Sequence, residues 1–96
     1  MIITNEPGVY RENEYGIRTE NTMIVEDHQK NENGTFYKFR TISYCPIDLD
    51  GIDIDVLDDR EIKWIDVYHS MVYEKLCPAL NEEERKWLRH ATRKVQ

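Results

Sequence analysis

Three apolar, β-branched runs open the chain, and two stretches of helical periodicity close it. Met1–Asn5 is short, Tyr15–Glu26 is long, and Thr35–Tyr44 is rich in aromatic and β-branched residues, so all three read as strands. Asn33-Gly34 is a strong turn signal just ahead of the third run, which predicts a hairpin between the second and third. Along the second run, strand alternation puts Ile17, Thr19, Asn21, Met23 and Val25 on one face. Arg18, Glu20, Thr22 and Ile24 share the other. A face with a charged pair among small groups suits a lined cavity better than a dry core.

The period then changes. Asp58 with Glu61 makes a capping-box start, and Ile62, Ile65, His69, Val72 and Leu76 recur at steps of three and four as one buried stripe. Pro78 stops this helix. Asn81 with Glu84 repeats the capping logic, and Trp87, Leu88, Ala91 and Val95 form a second apolar face. Arg89, Arg93 and Lys94, late in that helix, complement its dipole. The expected fold class is α+β: a small antiparallel sheet followed by two packed helices. Residues 1–47 carry the strands, and residues 48–96 carry an acidic connector and the helical tail.

Composition narrows the class. A chain of 96 residues is one domain at most and buries a modest core, while 40% hydrophobic and 33% charged residues describe a folded globular protein. No apolar run approaches the roughly 20 residues needed to span a bilayer, and no charged-then-apolar leader follows Met1. The expectation is a cytoplasmic protein with no membrane partner. Residues 1–59 hold 5 basic and 13 acidic side chains, a balance of −8, against +2 for residues 60–96, which hold 8 and 6. An acidic first part argues against nucleic acid as a partner and suits a cation site. Cys45 and Cys77 lack metal-ligand spacing and read as small, half-buried thiols.

Two features invite chemistry that their spacing does not support. The connector holds Asp48, Asp50, Asp53, Asp55, Asp58 and Asp59 around Gly51, but matching Gly51 to the glycine of a calcium loop puts Pro46 first and Leu57 last. A solvated loop with Asx turns and a helix cap is the better account. Of the histidines, His69 falls on the apolar stripe as a hydrogen-bonded packing residue, His28 in a polar loop, and His90 on an exposed turn of the last helix. Trp64, Tyr68, Tyr73 and Trp87 read as helix-packing residues, with a dimer surface as the second reading.

The opening of the chain is the most specific part. Thr4-Asn5-Glu6-Pro7-Gly8 is followed, after a short polar turn, by Gly16-Ile17-Arg18-Thr19-Glu20-Asn21. A residue before proline is extended, so Glu6 projects from a strand end, and Arg18 and Glu20 point the same way along the next run. By spacing alone two readings stand: a solvated turn beside a surface ion pair, or a hard-oxygen metal site.

The motifs Glu6-Pro7-Gly8-Val9-Tyr10 and Tyr15-Gly16-Ile17-Arg18-Thr19-Glu20-Asn21 resemble the last two metal-ligand segments of the pita-bread metallopeptidases, in the Xaa-Pro aminopeptidase (aminopeptidase P) branch. The resemblance continues through Cys45-Pro46-Ile47-Asp48, Trp64-Ile65-Asp66-Val67-Tyr68-His69 and Glu84-Arg85-Lys86-Trp87-Leu88, and is weakest from about Asp27 to Gly34. It implies a fragment of the pita-bread fold, from the C-terminal part of a longer enzyme that cleaves an N-terminal residue from a following proline. In that enzyme two divalent metal ions, usually manganese, are held by two Asp, one His and two Glu. By correspondence Glu6 ligates one ion and moves a proton, Glu20 bridges both, Arg18 supports the ligand network, and Tyr10 lines the site. Hard carboxylate oxygens suit manganese.

The other three ligands have no counterpart in this sequence. The chain alone is therefore expected not to hold two metal ions stably and not to cleave peptides. The resemblance also suggests a dimerising role for the tail, and sheet surface left uncovered predicts a homo-oligomer. The alternative function is a non-catalytic interaction or dimerisation module built on the same scaffold; retention of Glu6, Arg18 and Glu20 together argues against it.

Overall fold

The computed structural model describes residues 1–95, which form two compact units divided after Ser43. The first is all β. Strands β1 (Ile2–Asn5), β2 (Gly8–Arg11), β3 (Tyr15–Arg18), β4 (Asn21–Asn31) and β5 (Gly34–Thr41) make a three-stranded sheet in the order β1-β4-β5 and a two-stranded sheet of β2 and β3, all antiparallel. The expected hairpin forms between β4 and β5.

Three details depart from the sequence reading. The "polar turn" after Glu6 contains a strand, β2, and only Glu12, Asn13 and Glu14 turn the chain, with Asn13 at a φ of 60° that asparagine tolerates. The long second run is interrupted at Thr19 and Glu20, giving β3 and β4. His28 lies within β4, not in a loop: pairing skips from Asp27↔Tyr37 to Gln29↔Phe36, so His28 occupies the register shift.

The two sheets share one register. Ile2↔Ile24 through Asn5↔Asn21 and Gly8↔Arg18 through Arg11↔Tyr15 belong to a single long hairpin. Carried through the gap, that register sets Pro7 opposite Thr19 and Glu6 opposite Glu20. The Thr19 amide donates to the Pro7 carbonyl at 3.1 Å, as the register requires. Pro7 has no amide hydrogen to return the bond, and that missing donor is why the ladder is broken here.

In the second unit the aspartates of the connector act locally. Asp48 caps the 3-10 turn Leu49–Gly51 by accepting from the Asp50 amide, and Asp53 caps Ile54–Val56 by accepting from the Asp55 amide, each at 3.0 Å. Asp58 starts helix α1 (Asp59–Leu76) with a complete capping box: it accepts from the Glu61 amide at 2.8 Å while Glu61 accepts from the Asp58 amide at 2.9 Å. The expected Asx turns and helix cap are present.

Pro78 ends α1 in a 3-10 turn (Cys77–Ala79), and Asn81 and Glu84 form the second capping box at the start of α2 (Glu82–Ala91). This helix is shorter than the apolar pattern implied, so Arg93, Lys94 and Val95 follow it, and the basic groups of its last turn are Arg89 and His90.

The core of this unit is Tyr68, Val72 and Leu88, with Tyr44, Ile47, Met71, Tyr73, Leu76 and Leu80 packed around it. Ile65, His69 and Val72 of the expected stripe are buried, while Ile62 and Leu76 are half-buried. Trp87 departs from expectation: it is 64% exposed, because a ten-residue helix presents only a narrow face and Leu88 takes the inward position.

His69 is fully enclosed and hydrogen-bonded at both ring nitrogens. Its Nε2 accepts from the Ile47 amide at 3.0 Å, which leaves Nδ1 to donate to the Arg93 carbonyl at 3.3 Å. The Tyr68 hydroxyl donates to the Cys45 carbonyl at 2.7 Å, and its ring stacks on Trp64 with centroids 5.4 Å apart. Asp66 accepts from the Val95 amide at 2.8 Å. These bonds tie the Cys45–Ile47 segment and the residues after α2 to α1. No helix of the described residues is long and apolar enough to cross a membrane.

Candidate metal-ligand site

The break at Pro7 is where the chemistry gathers. Hydrogen-bonded and non-hydrogen-bonded pairs alternate along an antiparallel ladder. The Thr19–Pro7 bond marks its pair as hydrogen-bonded, so Glu6 and Glu20 form a non-hydrogen-bonded pair, in which Cα atoms approach to about 4.5 Å and side chains stand close. Two carboxylates opposed in this way repel. Arg18, on the same face as Glu20, offsets that charge: its Nε lies 3.2 Å from Glu20 Oε2 and 4.0 Å from Glu6 Oε1.

The side chains are open to solvent, with 41% of Glu6 and 40% of Glu20 exposed, so these ion pairs organise geometry more than they stabilise the fold. The Thr4 hydroxyl, two residues back on the same strand face, donates to Glu6 Oε2. Tyr10, also on that face, lies beside the Arg18 side chain, and its hydroxyl together with the charges of Glu20 and Glu6 raises the Arg18 pKa above its ordinary value.

The structure thus brings together all four residues singled out in the sequence: Glu6, Tyr10, Arg18 and Glu20. Glu6 leaves a strand end as expected. Glu20 sits one residue before β4, the central strand of its sheet, and not within it. Thr4 escaped the sequence reading, although its place two residues before Glu6 was the available signal.

The donor set suits a hard divalent cation: carboxylate oxygens from two strands, opposed, solvent-reachable, and only partly balanced by one guanidinium. Glu6 and Glu20 would hold such ions. They form a partial donor set, since the described residues contain no cluster of three or more His, Cys, Asp or Glu side chains able to hold a metal ion.

A hairpin interrupted at an opposed glutamate pair, in a chain that also carries a three-stranded sheet and two capped helices, makes up a part of the pita-bread metallopeptidase fold. The structure superposes on X-prolyl aminopeptidase from Caenorhabditis elegans, described as a cytosolic enzyme with a di-nuclear active site. The TM-score is 0.83 at 29% identity, over 98% of this chain and 16% of that one. Residues 35–95 match the family described as the C-terminal region of peptidase_M24, and the chain belongs to that family.

Over nearly its whole length the chain is also similar to the C-terminal part of aminopeptidase P enzymes. It is 37% identical to Aminopeptidase P1 of Arabidopsis thaliana over 99% of the chain and 15% of the relative. With Xaa-Pro aminopeptidase 2 of Homo sapiens it shares 30% identity over 96% of the chain and 14% of the relative. The chain therefore spans about a seventh of the length of the relatives it matches.

Proposed function

We propose that this chain supplies the last two carboxylate ligands, Glu6 and Glu20, to the dinuclear metal centre of a cytosolic Xaa-Pro aminopeptidase. The opposed Glu6–Glu20 pair carries the reading, because two facing carboxylates repel and the single Arg18 guanidinium balances only one of the two charges. Glu6 would hold one ion and carry a proton, Glu20 would be shared by both, Arg18 would keep Glu20 in place, and Tyr10 would line the site. Two divalent ions, with manganese the best match to oxygen donors, would supply Lewis acidity toward a scissile carbonyl and lower the pKa of a water. The substrate is a peptide with proline at its second position. The 96-residue chain alone, with two of five ligands, is inactive and holds no stable metal pair.

A chimera tests this directly. The matching terminal segment of the Caenorhabditis elegans enzyme is replaced by this chain, and metal content and cleavage of an Xaa-Pro peptide are measured. Activity is expected with the native sequence. Glu6→Ala and Glu20→Ala should each lose bound metal and most of the activity, and a Glu20→Ala chimera with full metal and full rate would refute the assignment.

Val9, Ile17, Tyr37 and Phe39 are each at least 60% exposed, which favours a second reading, an interaction module whose apolar surface is covered by a partner. The same surface makes the isolated chain a homo-oligomer, and light scattering that returns a monomer mass at tens of micromolar (about, on the scale of weak interfaces) would contradict that.

A further inference from the structure

Gly8 and Gly16 pose a question that their backbone does not answer. Neither has a positive φ; among the described glycines only Gly34 does. Glycine weakens a strand, because it loses more entropy on ordering and offers no side chain to pack. The reason lies in the space above them. Tyr10 pairs with Gly16 across the ladder, and Gly8 pairs with Arg18. A Cβ on Gly16 would stand 2.7 Å from Tyr10 Cδ1 and 3.2 Å from its Cε1. A Cβ on Gly8 would stand 2.7 Å from the Tyr10 hydroxyl oxygen and 2.9 Å from its Cζ, and also 2.8 Å from the Ile17 carbonyl oxygen, so at Gly8 the ring and the facing backbone both exclude a side chain. The ring therefore lies flat along the hairpin, with one edge over Gly16 and its hydroxyl end over Gly8. That route delivers the hydroxyl to the residue opposite Gly8, which is Arg18.

We propose that Gly8 and Gly16 form a two-glycine seat that lays the Tyr10 ring flat and sets its hydroxyl against Arg18. Tyr10 is then a positioning residue: it holds the guanidinium, and the guanidinium sets the spacing of Glu6 and Glu20. The ring also covers backbone that two glycines would leave bare, as an aromatic placed across a strand glycine does elsewhere. A side chain at Gly16 lifts the ring, withdraws the hydroxyl, and frees Arg18 to swing toward either carboxylate. The functional meaning of the seat rests on the proposed ligand role of Glu6 and Glu20; its geometry does not.

The test is proton and nitrogen NMR of the metal-free protein, so a failed seat and a failed ligand role give separate results. A ring face over Gly16 shifts one of its Hα signals upfield. Gly34 and Gly51, which have nothing within 4 Å of an added Cβ, are internal references. The expected result is an upfield Gly16 Hα that returns to the range of Gly34 and Gly51 in Tyr10→Leu. In Tyr10→Phe the upfield signal stays, while the Arg18 guanidinium N–H signals move and those of Arg40, paired with Glu26, do not. Gly16→Ala should move the Arg18 signals as Tyr10→Phe does. If Gly16→Ala does not fold, the wild-type Gly16 shift and the Tyr10→Phe response decide alone. A wild-type Gly16 Hα within the range of the other two glycines, or Arg18 signals indifferent to Tyr10→Phe, overturns the proposal.

Discussion

A single hydroxyl illustrates how residue chemistry reports on the fold. The Tyr68 phenol is buried, burial pushes its pKa above the ordinary value, and the proton it donates to the Cys45 carbonyl belongs to the neutral form alone. A phenol whose pKa is raised on folding keeps its proton more tightly in the folded state. Its contribution is therefore complete below the unfolded value of about 10 and is lost as pH rises through the folded value. Tyr68→Phe should cost about 1 kcal/mol at neutral pH, the net worth of one hydrogen bond, and should flatten the fall in stability above about pH 10. Urea unfolding of the two proteins at pH 7 and at alkaline pH measures both effects, and parallel pH profiles would exclude this role.

Single residues were also where the sequence spoke most clearly. Proline geometry and strand alternation, which are local rules, oriented Glu6, Arg18 and Glu20, but spacing left a surface ion pair open, and it was the motif resemblance that singled them out. Trp87 was misplaced, because an apolar side chain on a short helix can face outward when a neighbour such as Leu88 has already filled the core.

At the scale of elements, capping decides where this chain changes conformation. Asp48, Asp53, Asp58 and Asn81 each accept from a backbone amide two or three residues on, so an acidic stretch that invites a calcium reading is spent on turn and helix starts. Removing the α1 cap with Asp58→Ala should cost about 1 kcal/mol, while the same change at Asp55, whose side chain caps neither turn nor helix here, should cost markedly less. Thermal unfolding followed by helical circular dichroism checks the pair, and equal losses would place the effect in net charge instead. The β elements were less legible. β2 was hidden because Gly8-Val9-Tyr10-Arg11 is too short and too glycine-led to read as a strand alone; its partner β3 makes it one.

Across the whole molecule, burial is uneven. Ile65, Tyr68, His69, Val72 and Leu88, the buried residues among those described, all belong to the unit that begins at Tyr44. The first unit holds none, although Ile3, Met23, Ile24 and Val25 are half-buried. A small antiparallel sheet without a covered face is marginal in water. In the isolated chain, amides of β1 and β4 should therefore exchange with deuterium well before those of the Ile65–Val72 stretch of α1. Equal protection in both units would mean that association covers the sheet.

What the sequence determined by itself is what local physics decides: helix starts from side-chain caps, the stop at Pro78, the hairpin at Asn33-Gly34, the alternation that puts Arg18 and Glu20 on one face. Only the tertiary structure decided that Glu6 faces Glu20. That opposition depends on one register running through a break of two residues on each strand, and register is a relation between strands that neither strand encodes alone.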